Sequence, residues 1–96
     1  MKVKNYINKC IEFDKIEKLC RDIRNQKKTI VTTNGCFDIL HLGHVEYLQK
    51  ASELGDVLIV GINSQESVRK IKGNERPITS EIGRISIVAA LGFVDY

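Results

Sequence analysis

The fold is decided by residues 29–62, which read TIVTTNGCFDILHLGHVEYLQKASELGDVLIVGI. The stretch opens with a β-branched run, 29–33, whose composition favours a strand. Asn34-Gly35 ends the run, and Gly35 gives the backbone unusual freedom where the strand stops. A hairpin turn is the alternative interpretation of an Asn-Gly pair. The residues after Gly35 favour a strand that ends there over a hairpin, because they have the pattern of a helix and not that of a returning strand.

The helix predicted after this turn has one apolar side, formed by Val45, Leu48 and Leu54. The run 57–62 that follows is almost continuously hydrophobic, which is typical of a parallel strand covered on both faces. Strand, turn, helix and strand in succession open a βαβ unit. They predict an α/β fold with a doubly wound, Rossmann-like parallel sheet and right-handed crossovers.

The N-terminal segment, 1–26, is predicted to be helical and to cover one face of the sheet. Apolar residues recur at helical spacing between Asp14 and Asn25, and Asp14 is a candidate N-cap. The α/β core is expected to span 29–96. A chain of 96 residues is shorter than those that usually split, so 1–96 is expected to form a single domain.

Three further elements and a loop are predicted after the second strand. A short helix, 64–71, is capped by a serine and stopped by Gly73. A basic, Pro-containing loop, 72–78, leads to a helix over 81–91 with apolar residues at helical spacing. Residues 93–96 are predicted to begin another strand.

The composition excludes several classes of protein. The chain has 15 Lys and Arg against 12 Asp and Glu, for a net charge of +3. These charges are spread along the chain, without the dense basic stripe and interleaved aromatics of a nucleic-acid binder. The longest apolar run, 57–60, is too short to span a bilayer, and three irregularly spaced cysteines without a secretory segment argue against a disulfide framework. We therefore expect a cytoplasmic protein that binds neither nucleic acid nor membrane.

Both histidines of the chain stand at the predicted start of the helix after Gly35, where ligands bind in parallel sheets. His41 and His44 are three residues apart, which places their β-carbons about 5–6 Å apart on one side of a helix. Unpaired N–H groups and the positive helix dipole make such a helix start a natural phosphate site. Gly43 leaves room between the imidazoles. Two imidazoles could donate hydrogen bonds to a phosphate under attack, an effect commonly worth about 3–4 kcal/mol per donor.

Two other interpretations of this pair stay open. In the first, one histidine belongs to the core and the other is a solvated cap. In the second, zinc is coordinated by His41, His44, Asp38 and Cys36. Zinc ligands usually recur in tighter motifs, so we assign no metal ligand here and favour the phosphate interpretation.

Residues 32–96 resemble the H-x-G-H cytidylyltransferase-like nucleotidyltransferases. The likeness rests on TNGCFDILHLGHVEYLQKASELGD (33–56), VLIVGINSQESVRKIKG (57–73), RPI (76–78) and VAALGFVDY (88–96). Within this family it is greatest to the adenylyltransferase domains of ADP-heptose synthases. Glycerol-phosphate cytidylyltransferases share the histidines but are less similar around Lys72.

The resemblance implies that a sugar 1-phosphate of the heptose type attacks the α-phosphorus of ATP, with Mg²⁺ as cofactor, and releases pyrophosphate. The catalytic residues implied are His41, His44 and Lys72. The nucleotide-binding residues implied are Asn34, Gly35, Cys36, Phe37, Asp38, Gly43 and Arg76. Asp38 is expected to orient its loop, and a solvated basic loop is the alternative role for Lys72 and Arg76. Arg84 matches the arginine that opens a helix in the family, with a plain helix-surface position as the alternative.

The chain departs from the family pattern in two places. The acidic residue usually found two positions before the helix arginine is displaced to Glu81. The sequence also stops at Tyr96, before the Ser/Thr-rich motif that closes on the triphosphate in the family, so the sheet is expected to be incomplete at its C-terminus. The alternative functions are a catalytically incomplete nucleotide-binding or association module and a cytidylyltransferase for a small phosphorylated alcohol.

A homodimer is expected, because an uncovered sheet edge favours pairing and the family tends to dimerise.

Overall fold

A computed structural model describes residues 5–96 of the chain. Two 3₁₀ turns, Tyr6–Lys9 and Phe13–Lys15, come first. The elements that follow are α1 (Ile16–Asn25), β1 (Ile30–Gly35), α2 (Leu42–Ser52), β2 (Val57–Ile62), α3 (Gln65–Lys72) and α4 (Glu81–Ala89). None of the helices within 5–96 is long and apolar enough to cross a membrane. The first four residues of the predicted segment 1–26 lie outside the described residues.

β1 and β2 pair in parallel, with α2 as the connection between them. Ile30 lies opposite Val57, and Gly35 lies opposite Ile62. Both strands therefore end at the same edge of the sheet, where the Asn63 N–H donates to the Gly35 carbonyl at 2.9 Å. The predicted βαβ unit is confirmed, and the hairpin interpretation of Asn34-Gly35 is wrong.

The strand predicted over 93–96 does not form as such, but Tyr96 begins a ladder on the other side of β2. The Tyr96 N–H donates to the Leu58 carbonyl at 3.1 Å, and the Val60 N–H donates to the Tyr96 carbonyl at 2.8 Å. This alternation is the hydrogen-bond pattern of a parallel pair. The Asp95 carboxylate also accepts from the Leu58 N–H at 2.8 Å. Residues 93 and 94 stay outside the ladder because the Val94 N–H closes a turn on Leu91.

The core lies between the sheet, α2 and α4. Its buried members are Phe37, Leu48, Leu58, Val88 and Val94. Leu48 occupies the apolar face predicted for α2 and is fully buried. The predicted third member of that face, Leu54, is 76% exposed, because α2 ends at Ser52 and Leu54 falls in the following turn.

Helix ends follow from local capping. Serine side chains cap α3 and α4: the Ser64 hydroxyl accepts from the Ser67 N–H and the Ser80 hydroxyl from the Gly83 N–H. Asp14, the predicted cap of α1, instead lies in the second 3₁₀ turn, and α1 begins without a side-chain cap. The helix predicted over 81–91 ends at Ala89, because the Leu91 N–H bonds to the residue three positions back instead of four.

Candidate active site

A hollow of about 490 Å³ lies at the carboxyl end of β1, beside the start of α2. It is lined by Cys36, Phe37, Asp38, Ile39, His41, His44, Lys72 and Arg76. Seven of these eight residues belong to the site predicted from the sequence, and Ile39 was missed. The other predicted residues, Asn34, Gly35 and Gly43, are not among the lining residues. The fold thus brings β1, α2, α3 and the loop after α3 to one place, where parallel sheets bind ligands.

The two imidazoles stand side by side at the start of α2, with ring centroids 4.0 Å apart and ring planes inclined by 36°. His41 is the N-cap, and its Nδ1 accepts from the Gly43 N–H at 3.0 Å. The Nδ1 of His44 accepts from the His41 N–H at 3.2 Å. An Nδ1 that accepts a hydrogen bond carries no proton, so the neutral rings carry theirs on Nε2. Each ring keeps one N–H to donate.

This arrangement differs from the expected one. We expected the helix start to offer unpaired backbone N–H groups to a phosphate, but His41 and His44 occupy the N–H groups of Gly43 and His41. Neither ring belongs to the hydrophobic core, which rules out the interpretation of one core and one capping histidine. The side chains cap the helix through Nδ1 and leave Nε2–H as the donor to a ligand.

The His44 ring is held in its neutral form. Partial burial lowers the pKa of His44 below its usual value of 6.5, and repulsion from a protonated His41 and from the Lys72 ammonium lowers it further. A neutral ring is the form that accepts at Nδ1 and donates from Nε2. Lys72 lies at the end of α3 and lines the same hollow as both rings.

Gly43 is required by the packing of His41. A β-carbon at this position would lie 2.8 Å from the His41 Cε1 and 3.0 Å from its Nδ1. The space that Gly43 leaves is therefore taken by the His41 ring, whereas the sequence suggested that a phosphate would use it.

The turn between β1 and α2 is built around Phe37. Its φ of 47° is left-handed, a conformation that bulky residues seldom adopt. The ring is buried and meets His44 edge-on, with centroids 5.5 Å apart. Gly35 makes room for it, because a β-carbon there would lie 2.7 Å from the Phe37 Cε2. The Asn34 amide does not line the hollow. It lies over Gly61, beside a second, apolar groove.

Asp38 fixes the loop after α3. Its buried carboxylate accepts from the N–H groups of Ile78 and Thr79, both at 2.8 Å, and pairs with the Arg76 guanidinium. Burial would raise the pKa of Asp38, but the two backbone hydrogen bonds and Arg76 outweigh it and lower the pKa to about 2. Asp38 therefore orders the loop after α3, whereas the sequence led us to expect that it orients its own loop. The zinc interpretation loses its carboxylate ligand, because these contacts occupy both oxygens.

Arg84 is completely buried, so the helix-surface alternative is wrong. Its Nη1 donates to the carbonyls of Cys36 at 2.8 Å and Asn63 at 2.7 Å, and its Nε donates to that of Thr79 at 3.2 Å. The sequence does carry a signal for this burial. Arg84 precedes the buried Val88 by four residues, which places both on one side of α4.

Within residues 5–96 there is no group of three or more His, Cys, Asp and Glu side chains placed to hold a metal ion. The hollow instead offers two imidazole N–H donors, the Lys72 ammonium and the Arg76 guanidinium, which is paired with Asp38. Such a set favours a ligand that brings several negative oxygens.

Residues 32–96 match the family model described as cytidylyltransferase-like. The chain belongs to the cytidylyltransferase-like family. It is 58% identical over 85 residues to the bifunctional protein HldE of a Nitratiruptor species, and 53% identical over 81 residues to that of a Helicobacter pylori strain. These alignments cover 88% and 84% of this chain, but only 18% of each relative.

A solved structure supports the cytidylyltransferase-like fold. It is the lipopolysaccharide core biosynthesis protein from Thermoplasma volcanium, with a TM-score of 0.64 and 38% identity. The match covers 71% of this chain and 54% of that one. The Rossmann-like α/β fold predicted from residues 29–62 is thereby confirmed.

Proposed function

We propose that this chain is the nucleotide-binding part of an adenylyltransferase that transfers AMP from ATP to a sugar 1-phosphate of the heptose type. The observation that carries the proposal is the pair of imidazoles whose Nδ1 atoms accept backbone N–H groups at the start of α2. Both rings line the hollow and have Nε2–H left to donate. The relatives at 53–58% identity support this branch of the family, and the chain spans less than a fifth of their length.

The geometry suits an attack on phosphorus. An oxygen of the sugar phosphate would form the new bond to the α-phosphorus, and the bond from that phosphorus to the bridging oxygen of pyrophosphate would break. The α-phosphate oxygens gain charge during this exchange. His41 and His44 would donate to those oxygens from fixed positions, so little reorganisation is needed as the charge develops.

Lys72 and Arg76 would serve the remaining phosphates. Both line the hollow, and Arg76 is held in place by Asp38 while its side chain stays 35% exposed. A fixed guanidinium can bind phosphate oxygens through two parallel hydrogen bonds, whereas a lysine acts as a point charge. This division favours Arg76 for orientation and Lys72 for neutralising charge.

Mg²⁺ is proposed to enter as part of the substrate, MgATP. The described residues provide no carboxylate set for it, since Asp38 is occupied by Arg76, Ile78 and Thr79. Mg²⁺ commonly binds through substrate phosphates with few protein ligands. We therefore assign no protein ligand to the metal and derive no step through it.

The test is a titration with ATP, CTP and GTP in the presence of Mg²⁺, followed by a pyrophosphate-release assay with heptose 1-phosphate. Preferential ATP binding and release of pyrophosphate are expected. His41→Ala and His44→Ala should each lower kcat by about 100- to 1000-fold, as expected for the loss of one charge-stabilising donor. Tighter binding of CTP, with turnover of a small phosphorylated alcohol, would identify a cytidylyltransferase. Nucleotide binding without pyrophosphate release for any acceptor would identify a non-catalytic module.

Self-association is a separate proposal. β1 pairs only with β2 among residues 5–96, and an open strand edge favours pairing with another chain. Sedimentation at micromolar concentration should give the mass of a dimer, and a monomer would contradict the proposal.

A further inference from the structure

Arg84 is the largest of the completely buried side chains, and it joins three separate segments. Its Nη1 donates both to the Cys36 carbonyl in the turn after β1 and to the Asn63 carbonyl at the end of β2. Its Nε donates to the Thr79 carbonyl just before α4. The guanidinium thus connects the turn that carries the imidazoles to the rest of the sheet edge.

This burial is costly, which indicates a specific role. The guanidinium donates to neutral carbonyls, and its Nη2 has no hydrogen-bond partner among residues 5–96. A buried charge without full compensation opposes folding. A methionine or leucine would fill much of the same space without that cost. Neither could hold two carbonyls in a fixed relation to each other.

One of those carbonyls controls the conformation of Phe37. The Cys36 carbonyl belongs to the peptide group that joins Cys36 to Phe37. A hydrogen bond to this carbonyl therefore fixes the orientation of that peptide plane, relative to which the φ angle of Phe37 is defined. Phe37 is held at a φ of 47°, which is unfavourable for a side chain of its size. The conformation places its ring in a T-shaped contact with His44. Release of the Cys36 carbonyl would allow Phe37 to return to an ordinary conformation and move away from His44.

We propose that Arg84 is a positioning residue for His44. It fixes the peptide between Cys36 and Phe37 against the end of β2, and Phe37 in turn holds the His44 ring. The inference rests on the proposed function for the role of His44, but its geometry can be tested without nucleotide.

The test compares the ring-proton resonances of His44 in the unmodified chain with those in Arg84→Met and Arg84→Lys. Arg84→Met keeps much of the volume and removes every donor, so the His44 resonances should shift as the Phe37 ring moves. Arg84→Lys keeps the charge and can hold one carbonyl, so it should restore part of the original shift. Unchanged His44 resonances in a folded Arg84→Met chain would overturn the proposal.

Two matched variants separate positioning from loss of stability. Ile23→Ala removes a buried side chain on α1 that does not line the hollow, and it should lower Tm without moving the His44 resonances. Gly35→Ala introduces a β-carbon 2.7 Å from the Phe37 ring and should move them with Arg84 intact. If Ile23→Ala moved them as much as Arg84→Met, a merely structural role would be indicated.

A measurement on the unmodified chain covers the case in which the Arg84 variants do not fold. Nitrogen-15 spectra should show slow rotation about the bond from Cζ to Nη1, because Nη1 is held by two carbonyls. Free rotation would overturn the proposal.

A parallel ATP titration distinguishes failure of this proposal from failure of the proposed function. If the unmodified chain does not bind ATP, the result counts against the proposed function. The His44 resonances alone decide the role of Arg84.

Discussion

At the scale of single residues, His41 and His44 have two tasks at once. Each ring accepts, through Nδ1, a backbone N–H at the start of α2, and each lines the hollow with Nε2 left to donate. The start of the helix therefore selects the tautomer that an oxyanion requires. Because the same ring both caps and binds, a change that moves the ring should affect ligand affinity more than folding.

Gly43→Ala tests this separation of affinity from stability. The added β-carbon would lie 2.8 Å from the His41 ring and displace it, whereas Gly43 has no positive φ that would strain an alanine. Loss of a hydrogen bond to a charged ligand costs about 1.5–3 kcal/mol, so the Kd for MgATP should rise roughly ten- to hundredfold. Calorimetry measures Kd, and the free energy of unfolding should change by no more than about 1 kcal/mol. Gln49→Ala, on the exposed side of the same helix, is the control and should leave both unchanged.

The lowered pKa of His44 predicts how stability depends on pH. In the unfolded chain His44 takes up a proton near its usual pKa of 6.5, whereas the folded chain resists it until a lower pH. Between these two values the unfolded state binds more protons, so this contribution to stability is present above pH 6.5 and is lost as the pH falls towards the folded pKa.

Urea unfolding of the unmodified chain and of His44→Gln, above and below pH 6.5, measures this effect. Glutamine at this position can still accept the N–H of the capping residue but does not titrate. The variant should therefore lose less stability on acidification than the unmodified chain. An equal or larger loss in the variant would show that His44 does not contribute in this way.

At the scale of elements, Asp38 joins the turn after β1 to the loop before α4. Its carboxylate orders that loop through the N–H groups of Ile78 and Thr79, and it pairs with Arg76. The segment that carries Arg76 into the hollow is thus held by a residue forty positions away in the chain. Its position depends on one ionised carboxylate.

Asp38→Asn should lower Tm at neutral pH and weaken MgATP binding, because an amide can neither pair with Arg76 nor accept as many hydrogen bonds. Since the pKa is lowered to about 2 from 3.8, the contribution of Asp38 is present above pH 3.8 and is lost as the pH falls towards 2. Thermal unfolding from neutral to acid pH should therefore show the two chains converging in Tm. Glu66→Gln removes an exposed ion pair with Lys70 and should leave Tm nearly unchanged. A persistent Tm difference at the lowest pH would contradict this account.

The elements that the sequence predicted correctly are those with a local cause. β1, β2 and α2 follow from short-range hydrophobic patterns. α3 begins after its predicted capping serine, and α4 begins at the predicted residue, Glu81. The exposure of Leu54 was missed because the end of α2 sets it, and helix ends depend on details of one turn. The contacts of Asp38 and Arg84 were missed for a different reason. Both join residues far apart in the chain, and no local pattern indicates which carbonyl or N–H a buried charge will reach.

At the scale of the whole molecule, the hollow brings together the turn after β1, the start of α2, the end of α3 and the loop after α3. Arg84 connects β1, β2 and the start of α4, and Asp38 connects the turn to the loop after α3. A ligand bound there would contact several elements at once and oppose their separation. Ligand binding should therefore stabilise the whole fold.

MgATP at about one hundred times its Kd should add roughly 2.7 kcal/mol to the free energy of unfolding. For a domain of this size, each kcal/mol raises Tm by about 4–8 °C, so thermal unfolding should shift upwards by at least about 10 °C. Adenosine carries the base but no phosphates and should give a much smaller shift at the same concentration. Equal shifts for the two compounds would show that the hollow does not select for phosphate.

The central claim is that two neutral imidazoles, held through Nδ1, meet a phosphate through Nε2–H. The most direct measurement is a nitrogen-15 spectrum of the His41 and His44 rings at neutral pH, recorded before and after saturation with MgATP. The account predicts protonated Nε2 and unprotonated Nδ1 in both rings at the start, and MgATP should shift the Nε2 signals of both rings more than those of Nδ1. A proton on Nδ1 of either ring, or Nε2 signals unchanged at saturation, would contradict it.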